Sequence, residues 1–165
     1  MVLLPRHVLA FAMVLAGTSP GLADTTVNVS LWDKGPDSTM MDDAHMQMMG
    51  KMDMGMMPMA MMGITLDQQT VPAGKVTFAA INDSKSIIHE MLVAPVPEGK
   101  TELPYIVDEN RVDEEAAHYL GEVSELDPGK SGELTVELEA GTYVVFCNVP
   151  GHFISGMWTL LTVTP

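Results

Sequence analysis

Apolar and polar side chains alternate along short stretches of this chain. In Thr26 to Asp33, TVNVSLWD, Val27, Val29 and Leu31 alternate with Asn28, Ser30 and Trp32, the two-residue period of a strand with one buried face. From Ile64 onward the signal recurs, and residues 64–71, 75–82, 87–95, 119–126, 131–139, 142–147 and 157–163 are strand candidates. Pro72-Ala73-Gly74, Pro128-Gly129-Lys130 and Ala140-Gly141 punctuate them as turns. Only residues 108–118, DENRVDEEAAH, have the composition of a short helix. Many short strands at this spacing predict an all-β protein, an antiparallel β-sandwich with its core between two sheets.

Two segments depart from this pattern. The first is MVLLPRHVLAFAMVLAGTSPGLA, residues 1–23. An arginine near the start, an apolar run from Val8 to Ala16 and small residues at Gly21 and Ala23 read as a secretory signal, too short in its apolar part to span a bilayer. The second, residues 34–63, has methionine at 40, 41, 46, 48, 49, 52, 54, 56, 57, 59, 61 and 62 and lacks aromatic and branched aliphatic side chains. Core methionines come mixed with Leu, Ile and Val, so this tract is expected to be a long, flexible insertion near the N-terminus. The expected organisation is a signal over 1–23, an N-terminal strand and methionine-rich segment over 24–63, and the main domain over 64–165.

Charge narrows the choice of partners. The chain carries 8 Lys and Arg against 22 Asp and Glu, a formal charge of −14, and removing the leader costs one basic residue and no acidic one. That excludes nucleic acid and anionic membrane surfaces as natural partners and fits an exported, periplasmic or secreted protein that is not membrane-spanning. The acidic stretch from Glu98 to Glu139 reads as a solvated face, and His118 within it as a solvated or capping residue.

Cys147 is the single cysteine, so no internal disulfide forms, and in an oxidising compartment such a thiol is buried, reactive or metal-bound. It lies in FCNVPGHFISGM, with His152 five residues on and Met157 five beyond that. The apolar run Tyr143–Phe146 predicts a central strand ending at Cys147. Asn148-Val149-Pro150-Gly151 then makes a turn, and the strand from Trp158 runs back beside the first. Such a hairpin end can aim three donors at one point. Thiolate and imidazole suit copper or zinc, but zinc rarely takes a thioether, so the trio favours copper if a second histidine joins it. His89, at the start of a predicted strand, is that candidate. Two histidines and a cysteine with a weak axial methionine make a blue-copper electron-transfer site. A Cys/His hydrolase is a poor alternative, since no orienting third group is evident.

The run GTYVVFCNVPGHFISGMWTLLTV, Gly141 to Val163, together with His89, resembles the cupredoxins, and its Cys-x4-His-x4-Met spacing is similar to that of rusticyanin and sulfocyanin. The resemblance covers roughly residues 64–165. It implies a Greek-key β-sandwich and one type 1 copper per chain held by His89, Cys147, His152 and Met157. Many cupredoxins carry Asn or Ser after the first histidine, where this chain has Glu90. That leaves open the hydrogen bonding that ties the ligand loops together, and with it the potential.

The expected function is that of an exported one-electron carrier, a copper-tolerance protein, or both, and not an enzyme. A redox protein would dock near His152, where Pro150, Phe153 and Ile154 are expected to form an apolar collar. The tract offers a rival, a Cu(I) storage or delivery module, in which Met46, Met48, Met52, Met54, Met56, Met57, Met59 and Met61 are the candidate thioether ligands. A methionine-rich arm on an exported cupredoxin is similar to the copper-tolerance cupredoxins of bacteria, which adds copper-export or copper-delivery proteins as candidate partners. Multicopper oxidases and nitrite reductases need more histidine ligands than five histidines, one of them in the leader, supply. A binuclear centre needs a second cysteine.

Overall fold

The structure is a computed structural model that describes residues 24–35, 61–97 and 102–165. The expected signal and the methionines from 40 to 59 lie outside the described residues. The strands are β1 (Thr25–Asp33), β2 (Met62–Leu66), β3 (Thr70–Pro72), β4 (Gly74–Asn82), β5 (His89–Pro95), β6 (Tyr105–Ile106), β7 (Arg111–Val112), β8 (Gly121–Leu126), β9 (Ser131–Leu138), β10 (Gly141–Phe146) and β11 (Trp158–Thr164). One sheet has the order β2-β1-β4-β9, the second β3-β11-β10-β5-β8, and β6 and β7 form a separate hairpin.

Alternation builds the core. Val27, Val29 and Leu31 of β1 are at most 1 % exposed and meet Val76, Phe78 and Ala80 of β4 and Met91, Val93, Val145 and Leu161 of the facing sheet. Burying an aliphatic or phenyl side chain of this size contributes roughly 1.5–3 kcal/mol. β5 and β10 are apolar on both faces instead, because the second sheet is covered twice. Leu92, Ala94, Val144 and Phe146 pack outward against Val112 and Ala117, with Leu103, Tyr105, Phe153 and Trp158 around them. The segment 102–118 is thus a cap on the outer face of the second sheet, which is why Tyr143–Phe146 reads as an unbroken apolar run.

Three expectations are corrected. The sandwich is mixed rather than antiparallel: β1 pairs parallel with β4, and β3 with β11. Parallel neighbours need a crossover, and the chain makes one by visiting the second sheet as β3 before returning as β4. For the same reason residues 64–71 are two strands in different sheets. The break falls at Asp67, whose carboxylate accepts the Asn28 backbone N–H at 2.9 Å and its side-chain amide at 2.6 Å. Residues 108–118 are not a helix. They hold the end of a 3₁₀ turn (Val107–Glu109), the strand β7 and a single turn closed by Ala117 N–H donating to the Asp113 carbonyl. Asn110 and His118, with φ of 55° and 53°, stop any helix from extending, and buried Val112 and Ala117 commit the segment to capping the sheet.

β1 is interior to its sheet, flanked by β2 and β4, and Asp33 at its end pairs with Met62 at the start of β2. Met62 is fully buried in the main core. The methionine-rich run therefore ends inside a core strand rather than before it.

Candidate metal centre

Three elements converge at one end of the sandwich. β10 lies between β5 and β11 and is antiparallel to both, with Phe146 opposite Leu92 and Trp158, so the end of β10 meets the starts of its two neighbours. His89 opens β5, Cys147 follows β10, and Met157 precedes β11. A bulge between His89/Leu126 and Met91/Val123 shifts the β5–β8 register just at His89.

The loop from Cys147 to Met157 folds as a compact set of turns. His152 N–H donates to the Val149 carbonyl, Ser155 N–H to Gly151 and Met157 N–H to His152, and Cys147 N–H closes the base on the Met157 carbonyl at 3.0 Å. Gly151, at φ 86°, takes a left-handed turn and donates to the Asn110 carbonyl at 2.8 Å.

Three of the four predicted donors come together. His89 Nδ1 lies 3.2 Å from His152 Nδ1, and Cys147 Sγ lies 3.3 Å from the same nitrogen. The three donor atoms are all within 4.8 Å of one another. His89 and Cys147 are 0 % exposed and His152 2 %. Met157 is fully buried beside them in sequence and packs in the main core.

Electrostatics make this a site that wants a cation. Burial lowers the His89 pKa against the opposing pull of Asp33, and burial followed by the nearby His89 lowers that of His152 to about 4, so both rings are neutral at pH 7. Burial pushes the Cys147 thiol up to about 12. Two imidazole nitrogens and a sulfur thus crowd one buried point, and a bound metal ion would satisfy all three while drawing off the thiol proton. Soft sulfur with two imidazoles suits copper, so the donor set fits a type 1 copper.

Residues that sequence reasoning missed complete the surroundings. Asp33 Oδ2 is 3.1 Å from His89 Nε2. Glu90 does not take over the loop-tying role of Asn or Ser: its backbone N–H donates to Cys147 Sγ at 3.4 Å, while its buried carboxyl oxygen Oε1 has no partner among the described residues. Burial, then the charges of Glu125, Glu122 and Glu114, raise that carboxyl to about 7. Asn148 ties the ligand loop to the cap instead. Its Oδ1 accepts from Val112 N–H at 2.7 Å, and its Nδ2 donates to the Val112 carbonyl at 3.0 Å and to Glu114 at 2.8 Å. No sequence pattern marks these pairings, since each joins residues more than thirty positions apart.

The expected collar is only partly at the surface. Pro150 is exposed, but Ile154 is 8 % exposed, and Phe153 turns into an aromatic cluster with Phe146 at 5.9 Å, Tyr105 at 6.2 Å and Trp158 at 6.4 Å between ring centroids. The cap supplies the aromatic partners that turn Phe153 inward. His118 is exposed, as expected. Met61 is half-buried and its carbonyl accepts from Lys34 N–H, whereas Met46, Met48, Met52, Met54, Met56, Met57 and Met59 lie outside the described residues.

Residues 68–165 match the sulfocyanin (SoxE) domain. The chain belongs to that family. It is a cupredoxin, with a ligand loop of the rusticyanin and sulfocyanin kind. Over 41 residues it is 49 % identical to auracyanin-B of Chloroflexus aurantiacus, a match that spans 24 % of this chain and 17 % of that protein. Rusticyanin from Thiobacillus ferrooxidans superposes with a TM-score of 0.54 at 17 % identity, covering 86 % of this chain and 79 % of that one. Auracyanin A, described as a blue copper protein from Chloroflexus aurantiacus, gives 0.51 at 18 % identity, covering 86 % and 100 %. These likenesses establish the fold. Among the described residues, no helix is long and apolar enough to cross a membrane.

Proposed function

We propose that this protein is an exported blue-copper electron carrier whose metal is held by His89, Cys147, His152 and Met157. The observation that carries the reading is the convergence of three buried donors: His152 Nδ1 lies 3.2 Å from His89 Nδ1 and 3.3 Å from Cys147 Sγ, and all three are within 4.8 Å of one another. Copper, when bound, supplies a one-electron couple. The chain's own residues supply rigidity: His89 and Cys147 sit at the ends of paired strands, and the 147–157 loop is closed on itself by backbone hydrogen bonds. With the protein filling the coordination positions, no site stays open for a substrate. That supports a carrier rather than an enzyme. Of the three grouped donors only His152 has any exposure, so its ring edge is the natural point of electron exchange with a docked redox protein. The signal-like sequence of residues 1–23 supports export to the periplasm or beyond.

The test is the visible spectrum of the mature protein after adding Cu(II). An intense thiolate-to-copper band that bleaches on reduction is expected, and a colourless Cu(II) complex rules the reading out.

A role in copper tolerance rests on the thioether spacing alone. Met46, Met48, Met52, Met54, Met56, Met57, Met59 and Met61 would bind additional Cu(I), and copper-export or copper-delivery proteins would be the partners. A Cu(I) titration against a competing chelator tests it: intact protein should bind more than one Cu(I) per chain, and a capacity of one removes this role.

A further inference from the structure

Asp33 ends β1 in the four-stranded sheet, yet its carboxylate reaches a histidine of the opposite sheet. Its Oδ2 lies 3.1 Å from His89 Nε2, with the two side chains 1 % and 0 % exposed. The other oxygen, Oδ1, accepts the Gly35 backbone N–H at 2.6 Å. Ser84 also hydrogen-bonds this carboxylate. Ser84 Oγ in turn accepts the backbone N–H groups of Ser86 at 3.1 Å and Ile87 at 2.9 Å. The hydroxyl proton therefore goes to Asp33 and the lone pairs to the segment leading into His89. One carboxylate thus holds both the ring and the loop that delivers it.

The chemistry of that contact has one direction. A carboxylate accepts only, so His89 Nε2 must carry the proton and Nδ1 must present its lone pair to Cys147 and His152. The Gly35 N–H and the His89 ring both meet this carboxylate, the setting of an anionic acceptor. Glu90 is not an equivalent partner, since it offers His89 no hydrogen bond among the described contacts.

Resting on the copper reading above, we propose that Asp33 is a positioning residue of the metal centre: it locks His89 as the Nε2–H tautomer and, as a buried negative charge one imidazole away, favours the oxidised over the reduced metal. A carboxylate on a metal-bound histidine raises the ring's donor strength and orients it. The extra positive charge of Cu(II) relative to Cu(I) gains most from the anion.

The test uses the mature full-length chain as wild type, Asp33→Asn and Asp33→Ala. Asp33→Asn keeps an acceptor oxygen and removes the charge. Its potential should rise by at least about 59 mV, a tenfold change in the Cu(II)/Cu(I) affinity ratio for a one-electron couple, while ¹⁵N NMR of the metal-free protein still shows His89 as Nε2–H. Asp33→Ala should show the same rise, a roughly 10–100-fold loss of Cu(II) affinity, and a mixed His89 tautomer. Unchanged potentials in both variants overturn the electrostatic role, and a wild-type His89 ring that is not Nε2–H overturns the positioning role. Absence of a thiolate–copper band from the wild type sinks the copper reading instead, and the metal-free NMR comparison still decides whether Asp33 holds the ring.

Discussion

Cys147 shows how a residue's surroundings prepare it for one ligand. Burial, with the charges of Glu90 and Glu125 adding to it, pushes the thiol up to about 12 and keeps it protonated, so its thiolate forms only when a cation arrives. Cys147→Ser should abolish the visible copper band. The metal-free variant should lose no more than about 1–2 kcal/mol, since a hydroxyl is nearly isosteric but less apolar; the two losses are read by absorbance and urea titration. Met157 is proposed as a weak axial donor. Met157→Leu should therefore keep copper and raise the potential, because losing a donor disfavours Cu(II). Cyclic voltammetry checks this, and complete loss of copper would show that the thioether is not weak. Glu90 gives a pH signature. Its folded pKa of about 7 lies above the ordinary 4.5, so the folded state holds the proton more tightly. Stability is then lost as pH rises from about 4.5 through 7, by at most about 3 kcal/mol. The groups facing it are Glu125, Glu122 and Glu114, which raise the pKa, and Arg111, which lowers it. In the metal-free protein, Glu90→Gln should be more stable than wild type at pH 8 and similar at pH 4. Chemical denaturation at the two pH values checks the sign.

Among the elements, the β6–β7 cap is the one whose purpose is least visible from its own composition. Acidic and half-exposed, it looks like a solvated helix, yet it closes the outer face of the second sheet and grips the ligand loop through Asn148 and the Gly151–Asn110 bond. Asn148 is fully buried, and its amide satisfies both backbone groups of Val112. Asn148→Ala takes the amide away from both Val112 groups, while Glu114 keeps its ion pair with Arg111, so the expected loss is about 2–4 kcal/mol. The Val112 amide should exchange faster with solvent than in wild type. A loss under 0.5 kcal/mol with unchanged exchange would mean that water replaces the amide at no cost.

Taken whole, the molecule joins its two sheets at the metal end through β1. The β1–β2 ladder runs to Asp33↔Met62, and Lys34 N–H adds a bond to the Met61 carbonyl at 2.9 Å. A deletion of the methionine-rich run must stop short of both ends, because Gly35 serves Asp33 and Met62 fills the core. Replacing residues 40–59 with a short Gly/Ser bridge should leave the visible band unchanged and the melting temperature within a few degrees, while Cu(I) capacity falls to about one per chain. A deletion that also removes Met62 should cost about 2–5 kcal/mol, the usual penalty for emptying a buried methionine site. Calorimetry and Cu(I) titration of the two deletions distinguish storage from packing.

Much of this was legible along the chain. Strict alternation named β1, β4 and β9 almost to the residue, since a face buried against one partner sheet leaves a two-residue period. Cys147 and His152 were legible as neighbours, and Met157 as their proposed companion, because the three share one short loop, where spacing in sequence becomes spacing in space. His89 was reachable because a thiolate–imidazole centre needs a fourth partner and few histidines remain. Contacts between distant segments left no such trace. Parallel pairing of β1 with β4, the split of residues 64–71 between sheets and the inward turn of Phe153 depend on which elements become neighbours, and alternation does not encode neighbours. Asp33 reads as an ordinary strand-ending aspartate. It becomes the partner of His89 only because the fold lays the end of one sheet against the start of a strand in the other, 56 positions away.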